Sequence, residues 1–143
     1  MFISPSDSDI KNLLSTAKTI AIVGLSPRTE RPSNGVARYL IEAGYRIIPV
    51  NPGQSEILSL KCYADLSEVG EKVDIVNVFR RAEDTPGIVE MAAAYNAPAV
   101  WLQQGIISQK SAEIAHRTGM FFIMDRCIKI EHQRLAIGIT KSS

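Results

Sequence analysis

The residues best suited to chemistry follow a short apolar run near the N-terminus. Ile20–Val23 is continuously apolar and ends at Gly24, and the polar loop that follows carries Ser26, Arg28 and Arg31. A helix is expected to begin two residues after Arg31. A strand, a glycine turn and a helix start bring backbone N–H groups and a positive helix dipole to one point, where a phosphate is stabilised. Because guanidinium groups pair with phosphate in bidentate geometry, the arginines strengthen the prediction of a phosphate site.

The elements that must position this loop alternate between strands and helices, at a spacing of about 20–25 residues. This alternation predicts a Rossmann-like, doubly wound α/β fold, with a mainly parallel sheet and helices on both faces. Strands are predicted at Ile20–Val23, Tyr45–Val50, Asp74–Phe79, Ala99–Leu102 and Phe121–Met124, with Lys61–Tyr63 as a short edge strand. Helices are predicted from a cap at Asp7 or Ser8, over Ser33–Ala43, from Thr85, and from Ser108 to Gly119. Gln54–Leu60 is predicted as loop, Leu66–Glu71 as a helical turn, and Ile128–Ser143 as a helical turn followed by a tail.

Ligands of such folds lie beyond the carboxyl ends of the strands, where the strand order reverses. Four polar or glycine-containing corners are predicted to converge there on one crevice. They are Gly24–Ser26, Asn51-Pro52, Phe79–Arg81 and Gln103–Gly105.

The usual nucleotide fingerprints are missing from this chain. The residues after Gly24 do not form the glycine pattern G-x-G-x-x-G, and the second strand ends at Asn51-Pro52 without an acidic residue for a ribose. No G-K-[ST] sequence of a Walker loop follows Gly24 either. The crevice therefore fits a phosphate compound better than NAD or a P-loop nucleotide.

Length and composition narrow the class of protein. The 143 residues have a formal net charge of +1, which does not suggest a nucleic-acid-binding protein. They are expected to form one domain over 1–143, with a core at about 7–135 and a flexible tail over 136–143. Cys62 and Cys127 show no metal-ligand spacing, which favours a reducing cytoplasm. We expect neither a signal peptide nor a membrane span, since no apolar run approaches about 20 residues.

Six short motifs follow one another along the chain. They are Val23-Gly24-Leu25-Ser26, Arg31-Pro32-Ser33, Ile48-Pro49-Val50-Asn51-Pro52, Val78-Phe79-Arg80-Arg81, Val100-Trp101-Leu102-Gln103-Gln104-Gly105 and Met124-Asp125-Arg126-Cys127. In their order and spacing, over roughly Asp7 to Leu135, they resemble the stand-alone bacterial CoA-binding proteins. The fold of that family is similar to the N-terminal CoA-binding domain of the succinyl-CoA synthetase α subunit.

The resemblance implies CoA or acyl-CoA as the bound cofactor. Ser26 and the backbone at Gly24 and Leu25 are then expected to take phosphate oxygens, with Arg28 or Arg31 on the 3′-phosphate or the pyrophosphate. Asn51-Pro52 and Phe79-Arg80 would form the walls around adenine and ribose, and Gln103–Gly105 would border the pantetheine arm.

A catalytic constellation cannot be assembled from the sequence. His116 and His132 are both expected to be solvated, and Cys127 is either a thiol near the CoA thiol or, as we favour, a packed residue. Trp101 is expected to pack in the core, and Asp125-Arg126 is interpreted as an internal ion pair. The prediction is a non-catalytic CoA or acyl-CoA binding protein of the cytoplasm, which uses no nucleic acid or membrane and whose protein partner is undetermined. An accessory subunit of an acyl-CoA-handling enzyme and a nucleotide-responsive Rossmann-type regulator remain as alternatives.

Overall fold

A five-stranded parallel sheet forms the centre of the molecule. The computed structural model describes residues 2–137. The strands are β1 Thr19–Val23, β2 Arg46–Val50, β3 Glu56–Ile57, β4 Leu60–Lys61, β5 Ile75–Val78, β6 Ala99–Leu102 and β7 Phe121–Ile123. Within the sheet they lie in the order β2-β1-β5-β6-β7, and β3 and β4 form a separate two-stranded hairpin.

The continuous apolar runs of the sequence form the central strands because both faces of the sheet are covered. All four residues of β5 and of β6 are buried, as are the last four of β1. A strand buried on both faces does not alternate polar and apolar residues, which explains the continuous apolar sequences of Ile20–Val23 and of β6. In β5 the fully buried Asn77 interrupts the apolar run.

Helices cover both faces, which confirms the predicted Rossmann-like class. On one face α3 and α4 contribute Val89, Ala92, Ala112 and Ala115 to a buried cluster with Ala21, Val76 and Val100. On the other face α1, α2 and α5 contribute Ile10, Leu14, Leu40 and Ile128 to a cluster with Ile22 and Trp101. The helices are α1 Asp7–Thr16, α2 Pro32–Glu42, α3 Thr85–Ala94, α4 Gln109–Thr118 and α5 Ile128–Arg134.

The strand order reverses between β1 and β5. The chain runs from β1 to β2 at one edge and then returns to β5 on the other side of β1. The parallel register pairs Val23 with both Val50 and Val78, so three strands end side by side. The crevice that this topology opens lies beyond Val23 and Val78.

Local predictions differ from the structure at the β3–β4 hairpin and at the cap of α1. The predicted loop Gln54–Leu60 contains most of the β3–β4 hairpin, whose turn residues Leu58 and Ser59 have φ of 54° and 62°. Positive φ at both turn positions matches the twist of a tight hairpin. The cap of α1 is Ser6, which accepts a hydrogen bond from the Asp9 N–H at 3.1 Å, rather than Asp7 or Ser8.

The C-terminal region holds more structure than one helical turn. The helix α5 has seven residues and packs against α2. From position 138 onward, the predicted flexible tail lies outside the described residues. No helix within residues 2–137 is both long enough and apolar enough to cross a membrane.

Candidate functional site

Gly24 brings the ends of two strands into backbone contact. Its N–H donates to the Val50 carbonyl oxygen at 2.8 Å, and its φ is +89°, a region that side chains disfavour. A Cβ added to Gly24 would overlap the carbonyl oxygen of Phe79 and lie 3.0 Å from its carbonyl carbon. Only glycine therefore allows the loops after β1 and β5 to meet at the reversal of the strand order.

The loop after Gly24 is tied to the first turn of α2. The Ser26 N–H donates to Ser33 Oγ at 3.0 Å, and Asn34 Nδ2 donates to the Ser26 carbonyl oxygen at 2.9 Å. Ser33 and Asn34 are both buried. Ser26 Oγ in turn accepts from the Arg28 N–H at 3.1 Å. The sequence pattern indicates that a helix begins at Ser33, but it gives no sign that Ser33 and Asn34 hold the loop by these hydrogen bonds.

The start of α2 has no side-chain cap. Arg31 occupies the cap position, and its carbonyl oxygen accepts from the N–H groups of Asn34 and Gly35 at 3.1 and 3.3 Å. Its exposed side chain forms no hydrogen bond or ion pair within residues 2–137. Arg28, by contrast, pairs with Glu30 at 2.9 Å, and both side chains are exposed. Of the two loop arginines, Arg31 is the one whose charge is not already matched.

Arg80 lies at the reversal itself. It is half-buried, and its Nε would be 3.2 Å from a Cβ on Gly24. Within the described part of the chain, its guanidinium has no hydrogen bond and no carboxylate partner. The neighbouring Arg81 is exposed and pairs with Asp84, its Nε 3.2 Å from Asp84 Oδ2. The crevice therefore contains a partly desolvated positive charge that no group among residues 2–137 neutralises.

Two adjoining clefts open on this guanidinium. The apolar cleft, of about 230 Å³, is lined by aliphatic side chains from the strand ends and α3 together with Pro52, Asp65, Asp84 and Arg80. The basic cleft, of about 580 Å³, is lined by Phe79, Arg80, Arg81, Asp84 and Ile106. Arg80 and Asp84 belong to both clefts, so a ligand with an apolar part and an anionic part can span them.

Other predicted site residues are held by internal bonds. Asn51 Nδ2 donates to the Leu25 carbonyl oxygen at 2.9 Å, and Asn51 Oδ1 accepts from the Gly53 N–H at 3.0 Å. The Leu25 side chain is fully buried in the hydrophobic cluster to which α1, α2 and α5 contribute. These contacts shape the loops beside the crevice and leave neither side chain free.

The corner after β6 is likewise occupied by structural bonds. Gln103 is buried, and its Oε1 accepts from the Ile128 N–H at 3.1 Å, which fixes the start of α5. The Gly105 N–H donates to Asp125 Oδ1 at 2.8 Å. Their predicted place along a pantetheine arm stays a prediction.

The structure corrects two predictions near the C-terminus. His132 was expected to face solvent but is 6% exposed, with Nδ1 2.7 Å from Tyr39 Oη. Asp125 and Arg126 do not pair with each other, because Asp125 takes the Gly105 N–H and Arg126 Nη1 lies 2.9 Å from Glu131 Oε1. In both cases the partners come from sequence positions that local patterns do not connect.

The remaining candidates for chemistry lie as follows. His116 is exposed on α4, as predicted, and Trp101 is a fully buried core residue whose Nε1 donates to the Arg126 carbonyl oxygen at 2.8 Å. Cys127 is half-buried at the start of α5. Cys62 is buried, which raises the pKa of its thiol. Among residues 2–137, no group of three or more His, Cys, Asp or Glu residues is arranged to hold a metal ion.

The family model for the CoA binding domain matches residues 18–133. The chain belongs to this CoA-binding domain family. It is 43% identical over 129 residues to YneT, an uncharacterized protein of Bacillus subtilis, a match that covers 90% of this chain and 96% of YneT. It is also similar to a solved structure of a hypothetical protein from Pyrococcus horikoshii, with a TM-score of 0.90, 34% identity and coverage of 95% and 98% of the two chains.

A third similarity links the family to larger enzymes. An ADP-forming acetate–CoA ligase of Archaeoglobus fulgidus is 25% identical over 135 residues. That match covers 87% of this chain but 20% of the ligase. The predicted membership of the CoA-binding family is therefore confirmed.

Proposed function

We propose that this protein binds CoA or acyl-CoA in the crevice beyond β1 and β5, without catalysis of its own. The phosphates would lie at the Gly24–Ser26 loop, the start of α2 and Arg80. Membership of the CoA-binding domain family supports the ligand. The arrangement of unpaired arginines around a backbone cradle supports its position.

The observation that carries the proposal is the half-buried guanidinium of Arg80, which has no hydrogen-bond or ion-pair partner among residues 2–137. A partly buried charge without a partner lowers stability, because it loses hydration without gaining a counter-charge. CoA carries a 3′-phosphate and a pyrophosphate, roughly four negative charges near pH 7. A phosphate of CoA would supply the missing counter-charge and accept bidentate hydrogen bonds from Arg80.

The other residues of the loop have roles that follow from their bonds. Gly24 keeps the approach to the backbone open, and the first turn of α2 offers its positive end. Arg31 has an unmatched charge beside that turn, so it is better placed for a phosphate than Arg28, which would first have to leave Glu30. Ser26 keeps a hydroxyl at the loop, although its oxygen already accepts from the Arg28 N–H.

A binding role without chemistry is proposed because the histidines lie elsewhere. His116 is on the exposed side of α4, and His132 packs between Tyr39 and Tyr45 on the α2 face, at ring centroid distances of 5.4 and 5.7 Å. Neither lines the apolar or the basic cleft. We further propose that the chain acts as one domain and works in the cytoplasm, where CoA and free thiols coexist.

A second candidate function is that of an accessory subunit for acyl-CoA chemistry. The similarity to a fifth of an acetate–CoA ligase favours it, because a partner could then supply the reacting groups. Turnover of acetyl-CoA by the purified chain alone would contradict the non-catalytic proposal. Turnover that appears only with a co-purified partner would favour the accessory role.

Calorimetric titration of the purified protein tests the ligand. CoA should bind more tightly than dephospho-CoA, which lacks the 3′-phosphate, and NAD should bind most weakly because no acidic residue follows β2. Equal affinities for CoA and NAD at the same ionic strength would remove the CoA proposal.

A further inference from the structure

The apolar cleft contains a carboxylate that the phosphate site does not explain. Asp65 lines this cleft together with its chain neighbours Ala64 and Leu66, and it is half-buried. It forms no ion pair within residues 2–137. A carboxylate in a site for a polyanion would repel the phosphates, so its presence calls for a ligand group that donates hydrogen bonds.

Within residues 2–137, one of the two carboxylate oxygens of Asp65 takes part in a hydrogen bond. Oδ1 accepts from the Ser67 N–H at 2.8 Å and caps the short 3₁₀ turn Leu66–Glu68. This bond fixes the rotation of the side chain and leaves Oδ2 without a partner among the described residues. The other carboxylate of the cleft, Asp84, is already paired with Arg81.

The size and lining of the cleft fit one flat, largely apolar ring. At about 230 Å³ it is smaller than the roughly 300–1,000 Å³ of pockets that hold a whole drug-sized ligand, so it suits one part of a larger molecule. Val23, Val50, Ile88 and Met91 offer aliphatic and thioether surface, which packs well against aromatic faces.

We infer that the apolar cleft holds the adenine of CoA and that Asp65 selects the base by accepting a hydrogen bond from its 6-amino group. This inference rests on the proposed CoA function and deepens it. Arg80 borders both clefts, so a base in the apolar cleft leaves the ribose and phosphates beside the guanidinium. A 6-oxo purine should bind less well, because its oxygen and Oδ2 are both hydrogen-bond acceptors and would repel each other.

The test exploits the fixed rotation of Asp65. In Asp65→Asn the amide oxygen must keep the Ser67 N–H, because an amide nitrogen cannot accept a hydrogen bond. The NH₂ group then takes the place of Oδ2, and an acceptor becomes a donor of the same shape. Asp84→Asn is the matched control, since it changes the other carboxylate of the same cleft.

Calorimetric titrations would compare CoA with deamino-CoA, in which hypoxanthine replaces adenine. The wild-type protein should bind CoA at least about tenfold more tightly, the usual effect of losing one hydrogen bond to a charged group. Asp65→Asn should lower this ratio by about tenfold or reverse it, and Asp84→Asn should leave it unchanged. Circular dichroism and the melting temperature would check that both variants are folded.

The other outcomes each overturn the inference. Equal binding of both ligands by the wild type would show that the base is not recognised, as expected if the pantetheine arm filled the cleft. An equal loss for both ligands in Asp65→Asn would assign Asp65 to the ribose or to the loop structure. Failure of the proposed function itself is distinguishable, because the wild type would then not bind CoA at all.

Discussion

Replacement of Arg80 by alanine separates a ligand-binding arginine from a structural one. Arg80 has no partner within the described residues, so the variant loses no ion pair when CoA is absent. The free energy of unfolding should therefore fall by no more than about 0.5 kcal/mol, as for a substitution that removes no specific contact, and it should rise if loss of the partly buried charge dominates. With CoA, however, one charge-assisted contact of about 1.5–3 kcal/mol disappears, and the affinity should fall roughly tenfold to 150-fold.

The adjacent Arg81 provides the matched control. Arg81→Ala removes the same side chain one position later, but this guanidinium is exposed and already paired with Asp84. Its effect on CoA affinity should be small, and the difference between the two variants should shrink at high salt as screening weakens phosphate contacts. Affinities would be measured by titration calorimetry at low and high salt. Equal losses in both variants would refute the assignment of Arg80 as the ligand-binding arginine.

Three further predictions concern the glycine turn, acid stability and thiol reactivity. Gly24→Val should abolish CoA binding or folding, because the valine side chain would overlap the Phe79 carbonyl group. A CoA titration would measure binding and circular dichroism would measure folding, and a folded variant with wild-type affinity would contradict this prediction. Hydrogen bonds from Arg134 and, to a smaller degree, from Arg126 lower the pKa of Glu131 below its usual value of 4.5. The ionised Glu131 should therefore stabilise the fold above about pH 4.5, and this stabilisation should be lost as the pH falls through the lower pKa of the folded state. Denaturant unfolding between about pH 5 and 3 would check this, and Glu131→Gln should show a weaker dependence. Ellman's reagent should modify Cys127 faster than the buried Cys62, and the reverse order would be inconsistent with the structure.

The sheet could be predicted because its strands are buried on both faces. Short, continuous apolar runs such as Ile20–Val23 and Ala99–Leu102 are typical of the central strands of a parallel sheet that is covered on both faces. The hairpin β3–β4 could not be predicted in the same way. Its turn has Leu58 and Ser59 at positive φ instead of the asparagine or glycine that usually marks such turns, so the sequence lacked the local signal.

The environment of His132 depended on contacts that no local pattern contains. The neighbouring Glu131, Gln133 and Arg134 are polar, which is typical of a surface turn. In the fold, Tyr39 lies 93 residues away along the chain yet within hydrogen-bond distance of the imidazole. Glu131 is also buried, because two arginines stabilise its charge there. The partner of His132 is distant in sequence, so its burial could not be inferred from the residues around it. The partners of Glu131, in contrast, lie five residues before it and three residues after it.

The corners of the site could be predicted, but the use of each polar side chain could not. Strand ends converge by topology alone, so the loops at Gly24, Asn51, Phe79 and Gln103 were expected near one edge. An asparagine or glutamine at such a corner can bind a ligand or brace the backbone, and both roles need the same donors and acceptors. In the structure, Asn51 and Gln103 use these groups to brace the backbone beside the crevice.

The local sequence nevertheless distinguishes Arg80 from Arg81, which pairs with nearby acidic residues. Arg81 begins the short turn Ala82–Asp84, where the acidic residues two and three positions later lie within reach of its side chain. Arg80 directly follows the last residues of β5, so its side chain stays at the strand end, where Gly24 leaves space for it. Arg80 therefore stays at the end of the strand, whereas the nearby carboxylates of Glu83 and Asp84 pair with Arg81. The same geometry aims it at the reversal of the strand order, which is why a phosphate is the partner we propose for it.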